Sequence, residues 1–170
     1  LGLRKTEYRQ GDVLDRAAVD ALIADADVVV HLAFIIMGGR DESRRINLEG
    51  SENVFAAAAA SARVQRLIYT SSVAAYGFHA DNPSPLTEDV PPRGSSEHYY
   101  SEEKAELEAQ LWETIGDLDA YVFRPCIVTG PDALMPLESI PWPIRQAPFT
   151  LLPDTGQSIA DRFAEQARTH

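Results

Sequence analysis

The chain has 170 residues, 45% hydrophobic and 24% charged, long enough for a single globular domain with a sizeable core and unlike a disordered chain. A net charge of -11 and a pI near 4.7 argue against unaided binding to nucleic acid or an anionic membrane surface, since both favour basic faces. The lone Cys126 excludes an internal disulfide framework, no Cys/His cluster has metal-ligand spacing, and a reducing cytoplasm is the default compartment.

Taken in order, Thr6 to Arg9 reads as the end of a short strand entering a turn at Gln10-Gly11-Asp12. A short helix is predicted from Ala17 to Ala24, with Asp15 as N-cap and Val19, Leu22 and Ile23 on one side. Val28 to Ala33 reads as a continuous β-branched run, the pattern of a strand buried on both faces of a parallel sheet. The longest apolar stretch, Val28 to Met37, is interrupted by His31 and is shorter than the ~18 residues of a membrane span. A long helix follows from Asp41 or Ser43 to Ala62, with Ile46, Gly50, Val54, Ala57 and Ala58 at helical spacing. Val64 to Thr70 is the next strand, so strand, helix and strand form a βαβ unit.

Residues 77–97, rich in Pro, Gly, Ser and acids, predict a long surface loop, a kind more often functional than decorative. A helix is predicted from Ser96 to Ile115, closed by Gly116, with Tyr100, Lys104, Leu107 and Leu111 on one stripe. Strand Ala120 to Phe123 runs into Arg124-Pro125-Cys126, and beyond residue 131 five prolines predict loops with short helical pieces near Leu137 and from Ile159 to Ala167.

The chemistry concentrates in Tyr100-Ser101-Glu102-Glu103-Lys104. Residues four apart in a helix share a face, so the phenol and the ammonium project into the same space. A fixed cation favours the phenolate over its usual pKa near ~10, which lets a tyrosine shuttle protons near neutrality. Ser72, delivered from a strand end, would hold a substrate oxygen within reach. Tyr and Lys four apart are also ordinary helix neighbours; with six Tyr and the lysines Lys5 and Lys104, chance gives roughly 0.07 such pairs.

Gly11-Asp12-Val13, His31-Leu32-Ala33, Asn47-Leu48-Glu49-Gly50-Ser51, Tyr69 to Gly77, Tyr100 to Lys104 and Arg124-Pro125, in this order and spacing, resemble the extended short-chain dehydrogenase/reductase family, closest to its NAD-dependent epimerase/dehydratase group. The resemblance implies an α/β fold: a Rossmann-like parallel sheet flanked by helices, over residues 1–131, followed by a loop-rich substrate segment over 132–170. It implies NAD or NADP as cofactor and a small-molecule substrate, a sugar nucleotide or small alcohol or ketone. The activity it implies is that of an oxidoreductase or epimerase/dehydratase working through Ser72, Tyr100 and Lys104. Asp12 would bond the adenine amine with Val13 on the ring, Leu32 and Ala33 would lie beneath the cofactor, Lys104 would also bond the nicotinamide ribose, and Pro125 and Val128 would shape the nicotinamide pocket. The family also pairs its two long helices, here 43–62 and 96–115, into a homodimer.

Some of these residues have plainer readings: Asp12 as a turn residue, His31 as a packed or backbone-bonded histidine, Asn47 as a tie between helix and sheet, and Cys126 as a small core hydrophobe. The sequence departs from the family pattern in lacking the Gly-x-x-Gly-x-x-Gly turn that receives the cofactor's pyrophosphate. It also opens at Leu1 without methionine. Both features predict a fold incomplete at the N-terminus, so that a non-catalytic nucleotide-sensing or scaffold role, or an inactive fragment, stands as the alternative. Ile127, where several sugar-nucleotide enzymes of the family carry a polar residue, weakens the nucleotide-sugar expectation.

Overall fold

The computed structural model describes residues 5–36 and 39–126. The expectations for Ile127, Val128 and residues 132–170 lie outside them. Three parallel strands, β1 (Val28–His31), β2 (Arg66–Thr70) and β3 (Asp119–Phe123), lie in the order β1-β2-β3. The register pairs Val29 with Leu67 and Leu67 with Ala120. Parallel neighbours need crossovers, and two of the helices supply them: α2 (Arg40–Ala60) joins β1 to β2, and α3 (Tyr99–Thr114) lies between β2 and β3 in sequence. The expected Rossmann-like parallel arrangement is therefore present.

Helix α1 (Arg16–Ile23) begins where its cap predicts: the Asp15 carboxylate accepts the Ala18 N–H at 3.1 Å. Val19 and Ile23, one turn apart, are buried, whereas Leu22 is 57% exposed. An eight-residue helix presents one narrow seam to α2, and Leu22 falls off it, contrary to the sequence expectation. Gly50 is where α2 comes close to the 12–14 turn, since a Cβ there would sit 2.5 Å from Val13 Cγ2. Helix α3 ends at Thr114 with Ile115 as its C-cap, and Gly116 takes the left-handed conformation (φ 57°) expected after a helix.

The core lies on one face of the sheet. Val29, Leu67 and Tyr69 pack with Phe55, Ala58, Leu107 and Leu111 from α2 and α3. On the other face Val30 and Phe123 are more than half exposed, and β1 is buried only at alternate residues. This corrects the reading of Val28 to Ala33 as a strand buried on both faces: the described helices cover one side only, and the strand ends at His31. Thr6 to Arg9 is not a strand, because no ladder reaches it among the described residues.

Candidate active site at the carboxyl ends of the strands

Because the strands are parallel, their carboxyl ends open on the same edge, and there the candidate residues gather. β1 runs into Leu32-Ala33-Phe34, β2 into Ser71-Ser72, and β3 into Arg124-Pro125. The ends of β2 and β3 are tied by Ser71 N–H to Phe123 O (2.7 Å) and Val73 N–H to Pro125 O (3.2 Å). Ser72, in extended backbone, caps the single-turn 3-10 helix Val73–Tyr76 by accepting the Ala74 N–H at 3.1 Å. Its own O–H remains as a donor.

Helix α3 brings Lys104 beneath these ends. The side chain is 3% exposed, and its ammonium donates to Thr70 O at 3.0 Å. The same nitrogen lies 3.9 Å from the Phe34 ring centroid, 5.3 Å from that of Tyr69 and 5.8 Å from that of Tyr100. Tyr100 is half-buried and meets Phe34 nearly at right angles, with centroids 5.3 Å apart. Burial pushes the Lys104 amine down to about 8, against the pull of the Glu108 and Glu103 carboxylates. It is thus a cation at neutral pH that titrates only a little above.

His31 is packed, as expected, but its bond is to a side chain rather than to backbone: Nε2 lies 2.9 Å from Ser51 Oγ. It stacks on Tyr69, and burial, followed by the Lys104 charge, pushes it down to about 4. Asn47 ties α2 to the chain after β1, accepting the Ile35 N–H at 2.8 Å and donating to Ile35 O and to Glu103 Oε2 at 2.9 Å each. Asp12 stands in a turn, accepting the Leu14 N–H at 2.9 Å with one carboxylate oxygen. Val13 packs on α2, and Leu32, Ala33 and Pro125 are exposed along the open edge. Cys126 is exposed as well, not a core residue: the chain has left the sheet by then. Val128 lies beyond the described residues.

Two features went unread in the sequence. Phe34 touches both Tyr100 and Lys104, and its only signal was an aromatic residue directly after His31-Leu32-Ala33. One turn beyond Lys104, the fully buried Glu108 takes a forked ion pair from Arg124 (Nη2 to Oε2, 2.6 Å) and a hydrogen bond from Ser71. Arg124 also donates to the Tyr76 hydroxyl at 3.0 Å.

An open-edged parallel sheet with helices packed on it defines a Rossmann-like α/β unit. The model of the NAD dependent epimerase/dehydratase family matches residues 2–149, and the chain belongs to that family. It is 32% identical over 129 residues to the N-acetyl-alpha-D-glucosaminyl-diphospho-ditrans,octacis-undecaprenol 4-epimerase of Escherichia coli, covering 71% of this chain and 37% of that one. To a low-salt glycan biosynthesis protein of Haloferax volcanii it is 29% identical over 159 residues, covering 91% and 46%. The crystal structure of the Bordetella bronchiseptica enzyme WbmH in complex with NAD+ superposes with a TM-score of 0.63 at 27% identity, covering 73% of this chain and 41% of that one. The chain spans less than half the length of these relatives. No helix among the described residues is long and apolar enough to cross a membrane.

Proposed function

We propose that the chain carries the catalytic edge of an NAD-dependent epimerase acting on a sugar linked to a diphosphate, with Ser72, Tyr100 and Lys104 as its proton-handling centre. The observation that carries this reading is the buried Lys104 ammonium, fixed on Thr70 O two residues before Ser72 and one turn from Tyr100. The 4-epimerase relationship and the NAD+ bound to the Bordetella enzyme support the reaction type and the choice of NAD over NADP.

The residues present fit one part of the cofactor. Exposed Leu32 and Ala33 would lie beneath a nicotinamide ribose, Lys104 would offer donors to its hydroxyls, exposed Pro125 would border the ring, and Asp12 with Val13 would serve the adenine end. The described residues contain no glycine-rich strand-to-helix turn for the pyrophosphate. When bound, NAD supplies the acceptor and donor for a hydride at a sugar carbon. Ser72 donates to the sugar oxygen and holds it, Tyr100 takes the hydroxyl proton as a phenolate stabilised by Lys104, and the resulting phenol returns it. The same reading includes a homodimer through α2 and α3, and a cytoplasmic location in which the exposed Cys126 stays reduced.

The test uses the full-length protein with NAD and either UDP-N-acetylglucosamine or a polyprenyl-diphosphate-linked N-acetylglucosamine, with inversion at the sugar's C4 read by NMR. Inversion is expected with one of them, and Ser72→Ala should slow it about 100-fold with NAD binding retained. NAD binding without turnover of either sugar contradicts the epimerase reading and favours a nucleotide-sensing role.

A further inference from the structure

Lys104 is a buried ammonium that has, among the described residues, a single neutral hydrogen-bond acceptor, Thr70 O, for its three donors. Among the described residues neither carboxylate nearest on its own helix bonds it: Glu103 takes Asn47 on Oε2 while its buried Oε1 has no hydrogen-bond partner, and Glu108 is held by Arg124 and Ser71. The groups facing Lys104 from the sheet are neutral: His31 on β1, bonded to Ser51, and Tyr69 on β2, whose phenol burial pushes up. What covers the charge closely is an aromatic face, with the ammonium 3.9 Å from the Phe34 centroid and Tyr69 and Tyr100 further out. A ring face attracts a desolvated cation electrostatically, and more strongly as water is excluded.

We propose that Phe34 is a positioning residue for the Tyr100–Lys104 pair: its ring face holds the Lys104 ammonium at the end of β2, and its perpendicular contact sets the angle of the Tyr100 ring. The proposal rests on the catalytic reading above for its purpose but not for its geometry. Phe34 can do both because it follows β1 directly and Asn47 fixes the next residue, Ile35, through both backbone groups. Neither Tyr100 nor Lys104 alone sets where its polar atom lies, since a long amine and a half-buried phenol both have rotamer freedom. A ring in contact with both restricts that freedom without adding a charge or a competing donor.

The test is an NMR titration of lysine side chains in the full-length protein, with the Lys104 signal assigned by its loss in Lys104→Met. In Phe34→Leu, which keeps an apolar side chain but no π face, the Lys104 midpoint should fall by about 0.5–1 pH unit. In Phe34→Trp it should return to the parent value or above. The kcat pH profile should move in the same direction while KM for the sugar changes less than kcat. A midpoint unchanged in Phe34→Leu, or one that Phe34→Trp fails to restore, overturns the proposal. Circular dichroism checks that each variant folds, and the tryptophan variant keeps the test open if leucine unfolds the chain. A shifted midpoint together with full activity in Tyr100→Phe would support the aromatic clamp and reject the catalytic reading, so the two fail separately.

Discussion

Two buried charges sit one helical turn apart on α3 and live in opposite surroundings. Glu108 is saturated: both of its oxygens take Arg124, and Ser71 adds a second partner. Among the described residues Lys104 has one backbone carbonyl and the faces of rings. A saturated buried pair holds elements together, here α3 to the ends of β2 and β3. An undersaturated buried cation leaves donors unspent, and that is the property a site needs if it is to meet a ligand or steady a developing charge.

This contrast can be broken by mutation, and the largest effect falls on the saturated partner. Glu108→Ala leaves the Arg124 guanidinium largely buried without its carboxylate and should cost about 3–5 kcal/mol in urea unfolding at neutral pH. Asn47→Ala comes next. It strips partners from the Ile35 N–H and C=O and from Glu103, and should cost about 2–3 kcal/mol by the same measurement. Phe34 is then anchored less firmly as well.

His31 gives a pH-dependent effect. Its folded value, about 4, lies below the unfolded 6.5, so between those values the unfolded chain binds more protons and stability falls as pH drops. His31→Gln can keep the bond to Ser51 and should remove that share of the acid slope; an unchanged slope between pH 6.5 and 4 would mean that His31 is not held neutral.

Lys104→Met should have the smallest effect on stability and so sharpens the comparison most. Removing an incompletely paired buried charge leaves stability within about 1 kcal/mol of the parent at neutral pH, or raises it, in contrast to Glu108→Ala. Since the folded value of Lys104 is about 8 against 10.5 unfolded, the parent gains stability as pH rises from 8 to 10.5. The variant should lose that gain, as urea unfolding across the same interval will show.

Much of this fold was readable in the sequence because local rules decided it. The Asp15 cap, the glycine after α3 and the βαβ order depend on neighbours within a few residues. Non-local packing is what local rules do not decide. Whether Val28 and Val30 are covered depends on what packs on the far face of the sheet, which their own apolar run cannot specify. The site was half legible: Tyr100 and Lys104 share a helix, so spacing revealed them. Arg124 and Glu108 are 16 residues apart on different elements, and Phe34 reaches Lys104 only through the close packing of the chain after β1 against α3.

The most direct measurement is turnover in Tyr100→Phe, with NAD affinity and thermal unfolding followed in the same samples. A kcat lower by about 100- to 10,000-fold is expected, with the NAD Kd and the Tm unchanged. Turnover within a few-fold of the parent would show that the proton leaves by another group and would contradict the assignment of this helix as the catalytic one.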